Sequence, residues 1–174
     1  RTDGDPHYRM LTTIGEYGQE QLEIAGEAEA IHCRHAAYYL AFAREAATHL
    51  QSAQQLVWLQ RLDDELDNLR RAFAWPDSQG ALLEQKLYVA GALFLYWHLR
   101  GRYTEGVMWL DRLLAEPGAA AQTAGRSRAL QSAAGLKASI GKQSEAYRQC
   151  RESLAIAQAL GDPVELAYAL RAMG

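Results

Sequence analysis

Four short stretches of the chain hold residue types that could do chemistry. In "HCRH", His32 and His35 stand three apart with Cys33 between them. Residues three apart share a helix face, so both imidazoles could reach one metal ion. Tetrahedral zinc needs two further ligands, which no nearby spacing supplies. The plainer reading puts His35 on an apolar stripe with His32 beside it. "DDELD" (63–67) gathers four carboxylates, the composition of an acid/base or magnesium site. Leucines at 62, 66 and 69 place those acids on the opposite, solvent side of a helix, and Asp67 precedes Arg71 by four, an ordinary helix-surface pair. "GLKASIGK" (135–142) imitates a phosphate loop. Five residues rather than four separate its glycines, however, and Gln143 stands where a Ser or Thr would hold magnesium. "FLYWHLRGRYTEGVMWL" (94–110) crowds aromatic rings, a histidine and two arginines together like the wall of an anion pocket. No GxSxG occurs, and neither cysteine has the setting of a nucleophile. Nothing in these stretches argues for an enzyme or for a bound cofactor or metal.

The elements that would position them are helices. Ala, Leu, Glu, Gln and Arg dominate, and only four prolines interrupt the chain. Apolar residues recur at helical spacing along Ile31, His35, Tyr38, Phe42, Ala46 and Leu50. The same spacing holds for Leu59, Leu62, Leu66, Leu69 and Phe73, for Tyr103, Val107, Leu110 and Leu114, and for Tyr147, Cys150, Leu154 and Ala157. No stretch alternates with period two, so no strand is expected. Gly26 separates a helix over about 8–25 from one over about 28–50, and Trp75-Pro76 closes a third. Gly101 and Gly141 mark tight turns, and "GDPVE" (161–165) starts a helix with Asp162 as cap and Glu165 as capping-box acid.

Composition narrows the function classes. The net charge of −3 and a pI near 6.0 do not suit a nucleic-acid face, and basic residues are interleaved with acids throughout. The longest apolar run, Val89 to Trp97, is nine residues, whereas a membrane-spanning helix needs roughly 20. Cys33 and Cys150 are no disulfide framework and fit a reducing cytoplasm. With no Met at Arg1 and an end in mid-pattern at "RAMG", the chain reads as an excised piece of a longer polypeptide.

The second half repeats with a shift of 40. Arg100-Gly101-Arg102 falls on Ile140-Gly141-Lys142, Glu105-Gly106 on Glu145-Ala146, Leu110 on Cys150 and Leu114 on Leu154. Leu93-Phe94 falls on Ala133-Ala134 and again on Met173-Gly174. Each unit is an apolar helix, a glycine turn and a second amphipathic helix, which must stack on neighbours to bury its face.

The stretch "ALQSAAGLKASIGKQSEAYRQCRESLAIAQALGD" resembles a tetratricopeptide repeat, with small residues at Ala133, Ala134 and Ala146 and the turn glycine Gly141. It departs at Gln143, where an aromatic is usual; Tyr103 keeps it one unit earlier. The period of about 40 resembles the longer repeats of bacterial regulators built on signal-transducing ATPases, the maltose-activator and LuxR-type group. "YRMLTTIGEYGQEQL" (8–22), "RHAAYYLAFAREA" (34–46) and "LDDELDNLRRAFAW" (62–75) resemble, in order, the stretch after the nucleotide-binding and winged-helix parts of those regulators.

The resemblance implies an all-α, right-handed solenoid of antiparallel helix pairs, with about seven or eight helices. Residues 1–26 would be the tail of a winged-helix-like region and 27–80 a divergent hairpin. Residues 81–122 and 123–161 would be repeats, and 162–174 the first helix of another. Its concave positions fall on Tyr88, Gly91, Leu95, His98 and Leu99 in one unit and on Arg128, Gln131, Gly135, Ala138 and Ser139 in the next. The implied role is a non-catalytic scaffold in a cytoplasmic transcriptional regulator, holding a protein or peptide or the parent's own ATPase core. The alternative is a small-molecule sensor, for example of a sugar, with its ligand near Tyr88, His98 and Arg128. Neither direct nucleic-acid binding by this piece nor a membrane is implied.

Overall fold

The computed structural model describes residues 12–76, 80, 82–161, 163, 166 and 167. Among them every regular element is helical and no strand occurs: α1 Thr12–Ala25, α2 Ala28–His49, α3 Gln55–Asp64, α4 Leu66–Ala74, α5 Leu83–Ala92, α6 Phe94–Leu99, α7 Tyr103–Leu114, α8 Ala124–Ser139 and α9 Gln143–Leu160. No helix among the described residues is long and apolar enough to cross a membrane. Residues 8–11, Asp162, Glu165, Met173 and Gly174, on which some sequence expectations fall, lie outside the described residues.

These nine helices exceed the expected seven or eight because two expected helices are each interrupted at one residue. The interruptions are Glu65 (φ −101°, ψ 7°) and Leu93 (φ −79°, ψ 12°). Backbone bonding resumes at once, with Leu69 N–H donating to Glu65 O and Trp97 N–H to Leu93 O. At Leu93 a side chain intrudes: the Trp97 indole donates to Ala90 O (3.3 Å), and such insertion into the ladder kinks helices. Neither interruption carries a proline or glycine to mark it in the sequence.

The 40-residue shift is kept by two turns of the same geometry. Gly101 N–H donates to His98 O and Arg102 N–H to Trp97 O; Gly141 N–H donates to Ala138 O and Lys142 N–H to Lys137 O. Both are Schellman turns, with the glycines at φ 65° and 82°, a region costly for any residue with a Cβ. The residue after each glycine leads into the next helix, where Arg102 pairs with Glu105 (3.4 Å) and Lys142 with Glu145 (3.7 Å).

Packing runs from one hairpin to the next. α5 packs on α2 and on α8; α4 packs on α2, α7 on both α5 and α8, and α9 on α8. One continuous core links Leu40 and Ala43 of α2, Leu62 and Phe73, Leu87 and Trp97, Leu110, and Leu136 of α8. Trp109, which falls off the α7 stripe, is buried and tilts onto Phe73 of α4, 5.8 Å away.

Two expected stripes are rotated. On α2 the buried residues are Ala36, Leu40, Ala43 and Ala46, followed by buried Leu50 at its C-cap, while Tyr38 is 68% exposed. On α9 they include Ala146, Cys150, Ser153, Ile156 and Ala157, while Tyr147 is 62% exposed. In both cases small side chains let helices approach closely, so large residues are left at the margin. The Leu59-to-Phe73 stripe is fully buried, as its spacing predicts.

Candidate functional site

The sequence-predicted positions lie on α5, α6 and α8, and the structure gathers them unevenly. Tyr88 of α5 and Arg128 of α8 meet, the guanidinium carbon lying 4.7 Å from the ring centre. Arg44 of α2 sits 5.0 Å from the same ring. Arg44 and Tyr88 line a cleft of about 380 Å³ together with Leu40, Ala41, Glu84 and Val89, with Gln85 and Ala124 completing it; Arg128 is not part of its lining. Leu40 and Val89 belong to the core, so the floor is apolar and fixed.

Glu84 ties that floor together. Thr123 Oγ1 and Gly125 N–H both donate to its carboxylate, the second at 2.7 Å, while Thr123 Oγ1 accepts from Arg126 N–H as the α8 N-cap. An α5 acid therefore sits at the start of α8, where unpaired N–H groups and the helix dipole favour negative charge. Gly91 is buried at the crossing of α5 and α8, where a Cβ would meet Arg128 C and O at 2.7 Å. Its missing side chain sets how near the two rows come.

The remaining positions form a second group, away from Tyr88. His98 is exposed and stacks on Phe94 (centroids 5.7 Å apart), with Tyr103 edge-on at 5.4 Å. Leu99 is exposed and Leu95 half-buried. Phe94 reaches across to α8 and lies against Gly135. Gln131 is half-buried, Ala138 packs beside Ala134, Ala146 and Cys150, and exposed Ser139 donates its hydroxyl to Gly135 O (3.0 Å). His98 and Leu99 thus do not line the Tyr88 cleft.

The other chemical stretches are engaged elsewhere. His32 stacks on Trp75 (4.2 Å), and His35 Nε2 donates to Asn68 Oδ1 (3.4 Å). Asn68 Nδ2 donates to Tyr39 Oη (2.9 Å) and to Glu65 Oε2 (2.7 Å), which closes a polar network between α2 and α4. Burial holds the His35 imidazole below its ordinary pKa, and burial with the nearby Glu65 pushes Tyr39 up to about 12. Asp67 pairs with Arg70 (2.8 Å), three residues on, rather than with Arg71. Arg70 also reaches across to α7 and chelates Glu105 (2.7 and 3.0 Å), a two-point geometry. Burial alone would raise Glu105, but Arg70 and Arg102 outweigh it and hold the carboxyl low. Asp63 is not on the solvent side as expected: it accepts from Tyr96 Oη (2.9 Å) and pairs with Arg100 (2.7 Å). The acidic stretch is thus partly an interhelix clamp. Among the described residues no group of three or more His, Cys, Asp or Glu could hold a metal ion. Cys150 is buried, which raises its thiol, and Cys33 is exposed.

Arg44, Glu84 and Gln85 were missed by sequence reasoning. The expected concave positions began at Tyr88, so Glu84 and Gln85 at the start of α5 and Arg44 on α2 fell outside them. The four-residue step from Leu40 to Arg44 on α2 is the one signal that would have placed a cation beside the apolar floor.

No family profile matches the chain, and no solved structure matches it. Three curated proteins do: one from Mycobacterium bovis and two from strains of Mycobacterium tuberculosis, each named "Putative HTH-type transcriptional regulator". Each is 34% identical over 178 aligned residues, covering 98% of this chain but only 20% of the relative. Nearly the whole chain is therefore similar to one segment, a fifth of the length, of proteins named as transcriptional regulators.

Proposed function

We propose that this chain is a non-catalytic regulatory segment of a larger cytoplasmic transcriptional regulator. In this reading the helices are tetratricopeptide-like hairpins stacked as a right-handed solenoid, and the parent belongs to the signal-transducing ATPase and LuxR-type group. The row α2, α5 and α8 is its concave face, which holds a protein partner or the parent's own ATPase core until a signal arrives. DNA contact and nucleotide hydrolysis belong to other parts of the parent. The observation that carries the reading is end-to-end similarity to one segment of three proteins named as regulators. The two matching glycine turns and the hairpin-to-hairpin packing are what such an array requires.

A second reading, that the segment senses a small molecule, is favoured by one observation. The cleft at Tyr88 has a volume at the lower end of ligand pockets and an apolar floor beneath charged side chains. Either way the ligand acts by favouring one of two arrangements of the parent.

The test is made in the parent protein. Replacing Tyr88 and Arg128 by alanine should alter transcription of the target in response to its signal while leaving affinity for operator DNA unchanged. Loss of DNA binding equal to the loss of response, or ATP turnover by the 174-residue chain alone, would overturn the reading.

A further inference from the structure

We propose that the outer face of α3 is the surface through which two copies of this chain pair, with their α3 helices antiparallel about a two-fold axis that passes between Leu56 and Val57. The contact is separate from the cleft at Tyr88, whose lining takes nothing from α3. α3 is apolar on two opposite sides. Trp58, Leu59 and Leu62 face the core at 5% exposure or less, whereas Leu56 is 77% and Val57 58% exposed. A helix lying on one side of a core needs one apolar stripe, and a second stripe opposite the first is what a further packing partner covers.

The outer face matches itself. At about 100° per residue, Leu56, Val57 and Gln60 fall on that side, and so does Ala53 in the turn before the helix. Their steps of three, one and three are the same in reverse. An antiparallel copy therefore sets Leu56 against the partner's Val57, and Ala53 against the partner's Gln60, and each contact occurs twice, as a two-fold interface requires. The face is also neutral. The run 46–60 is the longest uncharged one in the chain, without Asp, Glu, Lys or Arg. Arg61, the next residue, lies back over Trp58, its guanidinium carbon 4.1 Å from the ring centre. A charged partner gains nothing from such a face, while the like-charge repulsion that usually bars self-contact is absent. The exposed rim of Gln51, Ser52, Gln54 and Gln60 consists of amides and a hydroxyl, which both donate and accept and so suit a copy of themselves. α3 has ten residues and is about 15 Å long, so the contact is small and the pairing weak, in the class below about 1,200 Å².

The experiment is sedimentation equilibrium of the 174-residue chain from about 10 μM to about 1 mM, the range in which so small a contact associates. The weight-average mass should rise with concentration from 19.3 kDa toward twice that value. Val57→Glu and Val57→Lys should each hold it at one chain throughout, because like charges then meet beside the axis. An equimolar mixture of the two should be heavier than either alone at the same total concentration. Ile24→Glu, at an equally exposed apolar position on α1, should leave the association unchanged. Val57 is exposed, and an unchanged circular dichroism spectrum certifies each folded variant.

A mass fixed at one chain up to the highest concentration would overturn the proposal. Association that survives Val57→Glu, or that disappears in Ile24→Glu, would place the contact elsewhere and overturn it as well. A mixture no heavier than its parts would refute the antiparallel pairing, and a mass that climbs past two chains would refute the closed two-fold contact.

Discussion

At the scale of single residues, the closest constraint is steric. Gly91 meets the Arg128 backbone where α5 crosses α8, and backbone atoms of a packed helix cannot swing aside as a side-chain end can. A methyl group there has to push the two helices apart along the edge of the Tyr88 cleft. Gly91→Ala should therefore destabilise the chain by about 1–3 kcal/mol in urea unfolding, the usual cost of overpacking a close contact. Gly18 of α1 is the control, because a Cβ there meets nothing within 4 Å. Alanine at that helical position should be neutral or stabilise by up to about 1 kcal/mol, since glycine weakens a helix interior. Equal effects at the two positions would refute the close crossing. The aromatic residues of the 94–110 stretch divide in the same local way: Trp97 is wholly buried and bonded to Ala90 O, whereas His98, one residue on, is exposed.

At the scale of elements, small and charged side chains join helices alongside the large apolar ones. Ser127 of α8 and Ser153 of α9 each donate a hydroxyl to the other's carbonyl (3.2 and 2.9 Å). Lys137 of α8 is 3% exposed and reaches Asp111 of α7 (2.8 Å) and Glu145 of α9 (3.2 Å), so one ammonium links three helices. Both acids stay partly hydrated, which limits what its removal leaves behind. Lys137→Ala should cost about 1–3 kcal/mol, the loss of charged hydrogen bonds from a buried donor. Lys142→Ala, at an exposed site five residues on, should stay within about 0.5 kcal/mol in the same urea titration. A Lys137 effect no larger than that of Lys142 would show that the link carries no stability. The leucines of α3 and α4 were legible because large apolar residues at helical spacing are what a core stripe looks like in sequence. The buried faces of α2 and α9 were not, because alanine, serine and cysteine pack as well in a close helix contact yet leave weak periodicity. The glycine turns were legible from local chemistry. The cleft was only partly legible: Tyr88 was singled out, while Arg44 and the Glu84 contact to the α8 cap depend on residues tens of positions apart in sequence.

At the scale of the whole molecule, the order of packing sets the order of stability. α5 and α8 each pack on several helices, and the largest buried side chains, Tyr96 and Trp97, follow directly on α5. α1 packs chiefly on α2 and leaves Ile14, Tyr17 and Ile24 exposed. When each hairpin leans mainly on its neighbours, opening need not be global, and elements with fewest supports open first. Amide hydrogen exchange should therefore be slowest in α5 and α8 and fastest in α1, with protection falling along the chain in both directions from the α5–α8 contact. α2 also packs on four helices, α1, α3, α4 and α5, and buries Ala36, Leu40, Ala43 and Ala46 in the core, so it should exchange more slowly than α1. Uniform exchange across all helices would show a single cooperative unit instead.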